Sequence, residues 1–166
     1  MTIFDFNIKY EQLIEFALEL VSDVPFFIKS KPAVGKSRGE ILEFVDLEIK
    51  QPILIVNPNI NIATSDAFQF INPREINFDL KSAVKNNGLD YSFLRTKIVN
   101  DFEPYVFSNY KEIKKIKEDM YIKGAEFALM SGSGSTVFGI FQDLESAENM
   151  QKSLPSDYFS VINYNS

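Results

Sequence analysis

The sequence predicts an α+β protein: a two-layer sandwich of ferredoxin-like character, with helices packed against one sheet. Three observations predict it. An apolar, β-branched run bounded by prolines, "PILIVNP", is followed by helical patterns rather than by a partner strand. Further on, two apolar runs flank the short loop "SGSGS" and read as a strand pair. A capped helix, "LESAENMQKSL", and the run "YFSVINY" then complete the order strand, helices, strand pair, helix, strand.

The first element is a helix in "YEQLIEFALELV", where Leu13, Ile14, Ala17, Leu18 and Val21 recur on one face. It stops at "SDVPFF", because Pro25 cannot continue it. "PFFIKS" and "RGEILEF" read as short strands joined by "KPAVGKS". "PILIVNP", between Pro52 and Pro58, suits a buried strand. "ATSDAFQFI" begins a helix with Thr64 as its cap. From Phe78 to Phe107 the chain reads as short helices divided at "NNG". "YKEIKKIKEDMYIKGA" is an amphipathic helix, with Ile113, Ile116 and Met120 inward and Gly124 just past its end. The strands "EFALM" and "TVFGIF" follow, and Asp143 caps the last helix.

Composition narrows the chemistry. At 166 residues and 45% hydrophobic content the chain can bury a core of its own. A net charge of −6 argues against a broad nucleic-acid or anionic-membrane surface. No apolar run is long enough to span a bilayer, and "MTIFDFNIKYEQ" lacks the apolar core of a signal peptide, so a soluble, cytoplasmic protein is expected. With no cysteine and no histidine, thiolate nucleophiles, Ser-His-Asp hydrolysis and imidazole or thiolate metal sites are excluded, and no metal ligands are expected. Any proton transfer falls to Asp, Glu, Lys, Tyr or water.

Three stretches invite a functional reading. "GKS" at Gly35 to Ser37 is not a nucleotide P-loop: Ser30 stands where that motif needs a glycine, and the segment leads into a strand. Asp23 stands where a helix ends, either as a turn carboxylate or as a cleft carboxylate that takes a proton from a substrate hydroxyl. Ser131, Gly132, Ser133, Gly134 and Ser135 form either an ordinary hairpin turn or a nest of backbone amides for phosphate oxygens.

Taken in order, "SDVPFF", "RGEILE", "ILIVNPNINIATSDAF", "NDFE" and "GAEFALMSGSGSTVFGIF" resemble the C-terminal part of one enzyme family. These are the 4-diphosphocytidyl-2-C-methyl-D-erythritol kinases, of the galactokinase, homoserine kinase, mevalonate kinase and phosphomevalonate kinase (GHMP) superfamily. The resemblance runs through essentially the whole chain. It implies a tail of the N-terminal, ribosomal-protein-S5-like lobe over residues 1–50, then a GHMP kinase C-terminal domain over 51–166. It also implies ATP and magnesium as cofactors, and a cytidine-diphosphate-linked methylerythritol as the small-molecule substrate, phosphorylated on its 2-hydroxyl in the non-mevalonate isoprenoid route. Asp23 matches the family's catalytic aspartate. Ser131 to Ser135 match a loop near the phosphate-transfer centre, and Phe68, with Thr64 one turn before it, matches an aromatic placed against cytosine.

Two motifs of that family are not found here, a "GKR"-like lysine motif and a "PxxxGLGGGSS"-like ATP-phosphate loop. The expectation is therefore a truncated chain, inactive alone, binding ATP poorly and self-associating through apolar surface between residue 1 and about Val45. Two other functions fit the same residues. One is another small-molecule kinase of the superfamily; the other is a non-catalytic binding module in which the glycine loop is a plain turn.

Overall fold

A computed structural model of the chain describes residues 8–20, 24–37, 39, 41–71 and 77–164. It forms two compact units, one from residues up to Glu48 with Leu80–Gly88, the other from Ile49–Asp79 with Leu89 onward.

In the first unit, α1 (Tyr10–Leu20) leads to α2 (Val24–Lys29). Here "PFFIKS" is a helix and not the expected strand. Pro25 sits in its first turn, where the missing N–H has no intrahelical partner to lose, so the proline starts a helix instead of ending one. Ser30, at φ +45°, closes α2 by donating its N–H to Phe26 O and its hydroxyl to Phe27 O. The segment expected to be a connector contributes a strand: β1 (Ala33–Lys36) pairs antiparallel with β2 (Ile41–Phe44). Glu43 on β2 is bridged by Lys36 at 2.6 Å and Lys81 at 2.7 Å. Their hydrogen bonds, Lys36 first, pull the Glu43 carboxyl down to about 2. On α1, Ala17 alone of the expected inward face is buried among the described residues, Val21 lying outside them; Leu13 and Leu18 are exposed, as are Phe16 and Leu20, and Phe27 on α2.

In the second unit, β3 (Ile53–Asn57) pairs on one side with β7 (Val137–Phe141) and on the other with β8 (Phe159–Asn163), while β7 also pairs with β6 (Ala125–Met130). All pairs are antiparallel, giving the order β6-β7-β3-β8. That is the split order expected of a ferredoxin-like sandwich. The connection after β3 runs through α3 (Thr64–Gln69), a 3₁₀ turn (Leu80–Ala83), β4 (Val84–Lys85), β5 (Gly88–Leu89), α4 (Tyr91–Lys97), α5 (Glu103–Asn109) and α6 (Lys111–Ile122). "NNG" marks the turn between β4 and β5, with Asn86 and Asn87 at positive φ.

Helix α6 packs on β6 and β7, and α7 (Leu144–Lys152) on β3, β7 and β8. The face of α6 read from the sequence is the buried one: Ile113, Ile116 and Met120 join Leu54, Val56, Met130, Val137, Phe141 and Met150. Each large side chain buried this way contributes roughly 1.5–3 kcal/mol. Asp143 caps α7 as expected, accepting the Ser146 N–H at 2.8 Å, which holds its carboxyl below the usual range.

The outer edge of β6 is met by side chains. Arg95 donates to the carbonyls of Ala125 and Glu126, and the Tyr121 hydroxyl both donates to Ala128 O and accepts from Ala128 N–H, each at 3.1 Å. Glu103 accepts the Met130 N–H, and Asn100 donates to Met130 O.

Candidate functional site

Between Met130 and Val137 the chain must reverse within six residues. The loop closes with the Ser131 N–H on Thr136 O at 2.8 Å and the Gly134 N–H on Ser131 O at 3.1 Å. Gly132, at φ +55°, and Gly134, at φ +94°, take left-handed backbone that other residues avoid. Two amides are thus used inside the loop. Those of Gly132, Ser133 and Ser135 make no hydrogen bond among the described residues. Ser131 and Gly132 are exposed, Ser133 and Gly134 half-buried, and Ser135 buried. The loop is a hairpin turn and, at once, a run of unpaired amides and hydroxyls chemically suited to anionic oxygens.

Helix α3 brings a second motif to this loop. Thr64 is not the helix cap: that position is Ala63, whose side chain caps nothing. Thr64 is the first helical residue, and its Oγ1 lies 3.0 Å from Ser133 Oγ. One turn later Phe68 is 63% exposed, one ring edge against Phe102 with centroids 5.1 Å apart. Phe70 stacks on Tyr105 at 4.6 Å beside it. Asn57, at the end of β3, donates to Thr136 Oγ1 at 2.9 Å and accepts the Asn59 N–H, tying that strand to the loop's far end.

A shallow groove of about 510 Å³ opens next to the loop, lined by Ile71, Val99, Asn100, Phe102, Ser131 and Gly132 among others. Asn100 and Glu103 here received no role from the sequence. Asn100 Nδ2 donates to Met130 O at 2.7 Å and to Gly132 O at 2.8 Å. Glu103, mostly buried, accepts the Met130 N–H at 3.1 Å and is paired with Lys117 Nζ at 2.7 Å. The signal was present in "NDFE": an Asn three residues before the first helical residue, which is itself an acid.

The structure therefore brings Thr64, Phe68 and Ser131 to Gly134 onto one surface, with Ser135 buried next to them in the loop. Asp23 lies outside the described residues. No group of three or more carboxylates able to hold a metal ion occurs among the described residues.

Comparison with known proteins bears on this surface. Residues 79–160 match the family model described as GHMP kinases C terminal. A 4-diphosphocytidyl-2-C-methyl-D-erythritol kinase of Bacteroides fragilis is 38% identical over 148 residues, covering 89% of this chain and 53% of the relative. The enzyme of that name from Chlorobium phaeobacteroides is 41% identical over 138 residues, covering 80% and 48%. The chain thus spans about half the length of the curated relatives it matches. Among solved structures, a 4-(cytidine 5′-diphospho)-2C-methyl-D-erythritol kinase superposes with a TM-score of 0.74 at 24% identity, over 94% of this chain and 56% of that one. A homoserine kinase from Cytophaga hutchinsonii superposes with a TM-score of 0.62 at 17% identity, over 95% and 57%; both structures speak for the fold alone.

Proposed function

The chain belongs to the GHMP kinases through its C-terminal domain, and from that premise we propose that it serves ATP-dependent phosphorylation of the 2-hydroxyl of 4-diphosphocytidyl-2-C-methyl-D-erythritol. One observation carries the reading. The Thr64–Ser133 hydrogen bond joins the aromatic helix to the glycine loop, so a base-stacking ring and a phosphate-facing backbone share one surface.

The donor set fits phosphate. The unpaired amides of Gly132, Ser133 and Ser135 and the hydroxyls of Ser131 and Ser133 would hold phosphoryl oxygens, while bulk side chains are kept out by the glycines. Mg-ATP, when bound, supplies the transferred phosphoryl group. Phe68 offers an open ring face for the cytosine, and Thr64 orients the loop's middle serine. Asp23 takes the proton of the attacking hydroxyl. Positioning and charge stabilisation do most of the work in such transfers.

Neither the lysine motif nor the ATP-phosphate loop named above occurs among the 166 residues. The chain by itself is therefore expected to bind Mg-ATP weakly and to turn over little. The reading also places it in the cytoplasm and lets it self-associate through the exposed apolar residues of α1 and α2.

The test is a phosphoryl-transfer assay with Mg-ATP and the cytidyl substrate, run on the chain alone and with a GHMP N-terminal lobe joined ahead of it. Transfer in the joined protein, abolished by Asp23→Asn and absent with homoserine, supports the assignment. Equal turnover on homoserine, or full activity of the Asn variant, refutes it.

A further inference from the structure

We infer that Asn100 is a positioning residue for the glycine loop, an inference that rests on the phosphate-facing reading of that loop. Its carboxamide makes three bonds at once. Nδ2 donates to Met130 O at 2.7 Å and to Gly132 O at 2.8 Å, and Oδ1 accepts the Phe102 N–H at 2.9 Å. One planar group therefore fixes the last residue of β6, the second residue of the loop and the approach to α5.

The bond to Gly132 O matters most. That carbonyl belongs to the same planar peptide unit as the Ser133 N–H, and in a trans unit the two point in opposite directions. Holding the carbonyl on the Asn100 side turns the Ser133 N–H to the other side. Ser133 is one of the three loop residues whose amides make no hydrogen bond among the described residues. Asn100 thus aims a donor without touching what that donor would bind.

Other side chains do not serve. Aspartate has the right shape but would set carboxylate oxygens against two carbonyls, and serine has a single proton on a shorter stem. Glu103 completes the clamp from the same segment by accepting the Met130 N–H, and is itself held by Lys117 at 2.7 and 2.8 Å.

The experiment follows backbone amides of the whole chain by nuclear magnetic resonance, with inorganic pyrophosphate as probe at constant ionic strength. In the unaltered chain the Ser133 and Gly132 amides shift on titration. In Asn100→Asp, pyrophosphate affinity falls roughly threefold to tenfold, and exchange of the Ser131 and Gly134 amides, which are bonded inside the loop, quickens by a similar factor, the scale of one lost hydrogen bond. Exchange at Leu54 and Ile140 stays unchanged. A merely structural role would lower the melting temperature but leave the affinity of the folded protein alone, and that result overturns the inference. So does an Asp variant with unaltered loop exchange. If the unaltered chain binds no pyrophosphate yet the variant still quickens exchange of the Ser131 and Gly134 amides, the phosphate reading fails and the clamp on the loop stands. Should Asn100→Asp not fold, Asn100→Ser, which keeps an oxygen for the Phe102 N–H, carries the same comparison.

Discussion

The two loop glycines allow a paired experiment, because they share a backbone region and differ in surroundings. A β-carbon at Gly132 would meet nothing within 4 Å, whereas at Gly134 it would lie 2.8 Å from Ile62 Cδ1 and 3.0 Å from Met130 Sδ. Gly132→Ala therefore bears only the left-handed penalty, about 1–2 kcal/mol per residue. About 0.4–1 kcal/mol of that is offset by the stiffer unfolded chain, leaving a net loss near 1 kcal/mol. Gly134→Ala bears the same penalty plus overlap with two side chains of the core, typically 1–3 kcal/mol. Both contacts are side-chain ends able to yield, so a total of about 3 kcal/mol is expected. For a chain of 166 residues each kcal/mol lowers the melting temperature by roughly 2–4 °C, so the two variants should differ by about 6 °C. Thermal unfolding followed by circular dichroism decides it. Equal destabilisation by the two alanines would refute the reasoning, since it would mean that the Ile62 and Met130 contacts are not made in the folded loop. Both variants should nonetheless weaken pyrophosphate binding, because each adds a methyl where the backbone is meant to be approached.

Phe68→Ala should cost folding about 1 kcal/mol or less, the worth of its edge contact with Phe102. It should cost cytidine diphosphate affinity about 1–3 kcal/mol by calorimetric titration, and unchanged affinity would remove Phe68 from the site. The Glu43 carboxyl, pulled from 4.5 to about 2 by Lys36 and then Lys81, adds stability that is present above pH 4.5 and fades as pH falls toward 2. Glu43→Gln should lower stability above pH 4.5 by a constant amount and flatten the acid limb between those values, the two proteins converging toward pH 2. Leu20, 74% exposed, and Phe27, 69% exposed, head the apolar surface of α1 and α2. Leu20→Lys with Phe27→Ser should lower the sedimentation coefficient and hydrophobic-dye binding, and a parent chain already monodisperse and dye-silent would sink the self-association proposal.

What the sequence disclosed follows from the range of the interactions involved. Ile113, Ile116 and Met120 repeat at helical spacing, and Asp143 caps its own helix three residues on, so both were visible locally. The order of strands followed from the order of elements. "PFFIKS" misled because a short apolar run has no period of its own, and a proline opens helices as readily as it ends them. Thr64 misled because a good capping residue one position late has its hydroxyl free for a tertiary partner, here Ser133, 69 residues away. Asn100 reaches across 30 and 32 residues to its carbonyls, and no local pattern announces that. The glycine loop was ambiguous in the sequence because a turn and an anion nest ask for the same residues.

The side chains that meet the rim of β6 have a consequence for solubility. Arg95, Tyr121, Glu103 and Asn100 together satisfy the outward backbone groups of Ala125, Glu126, Ala128 and Met130. A stray strand from another molecule arriving there finds no template to copy. The opposite rim, β8, holds uncharged Phe159, Ser160, Val161, Ile162 and Asn163, with Phe159 and Val161 exposed. Of the two rims, β8 is therefore the one whose outward backbone no charged side chain guards among the described residues, and Val161→Lys would add there the charge that natural edge strands carry.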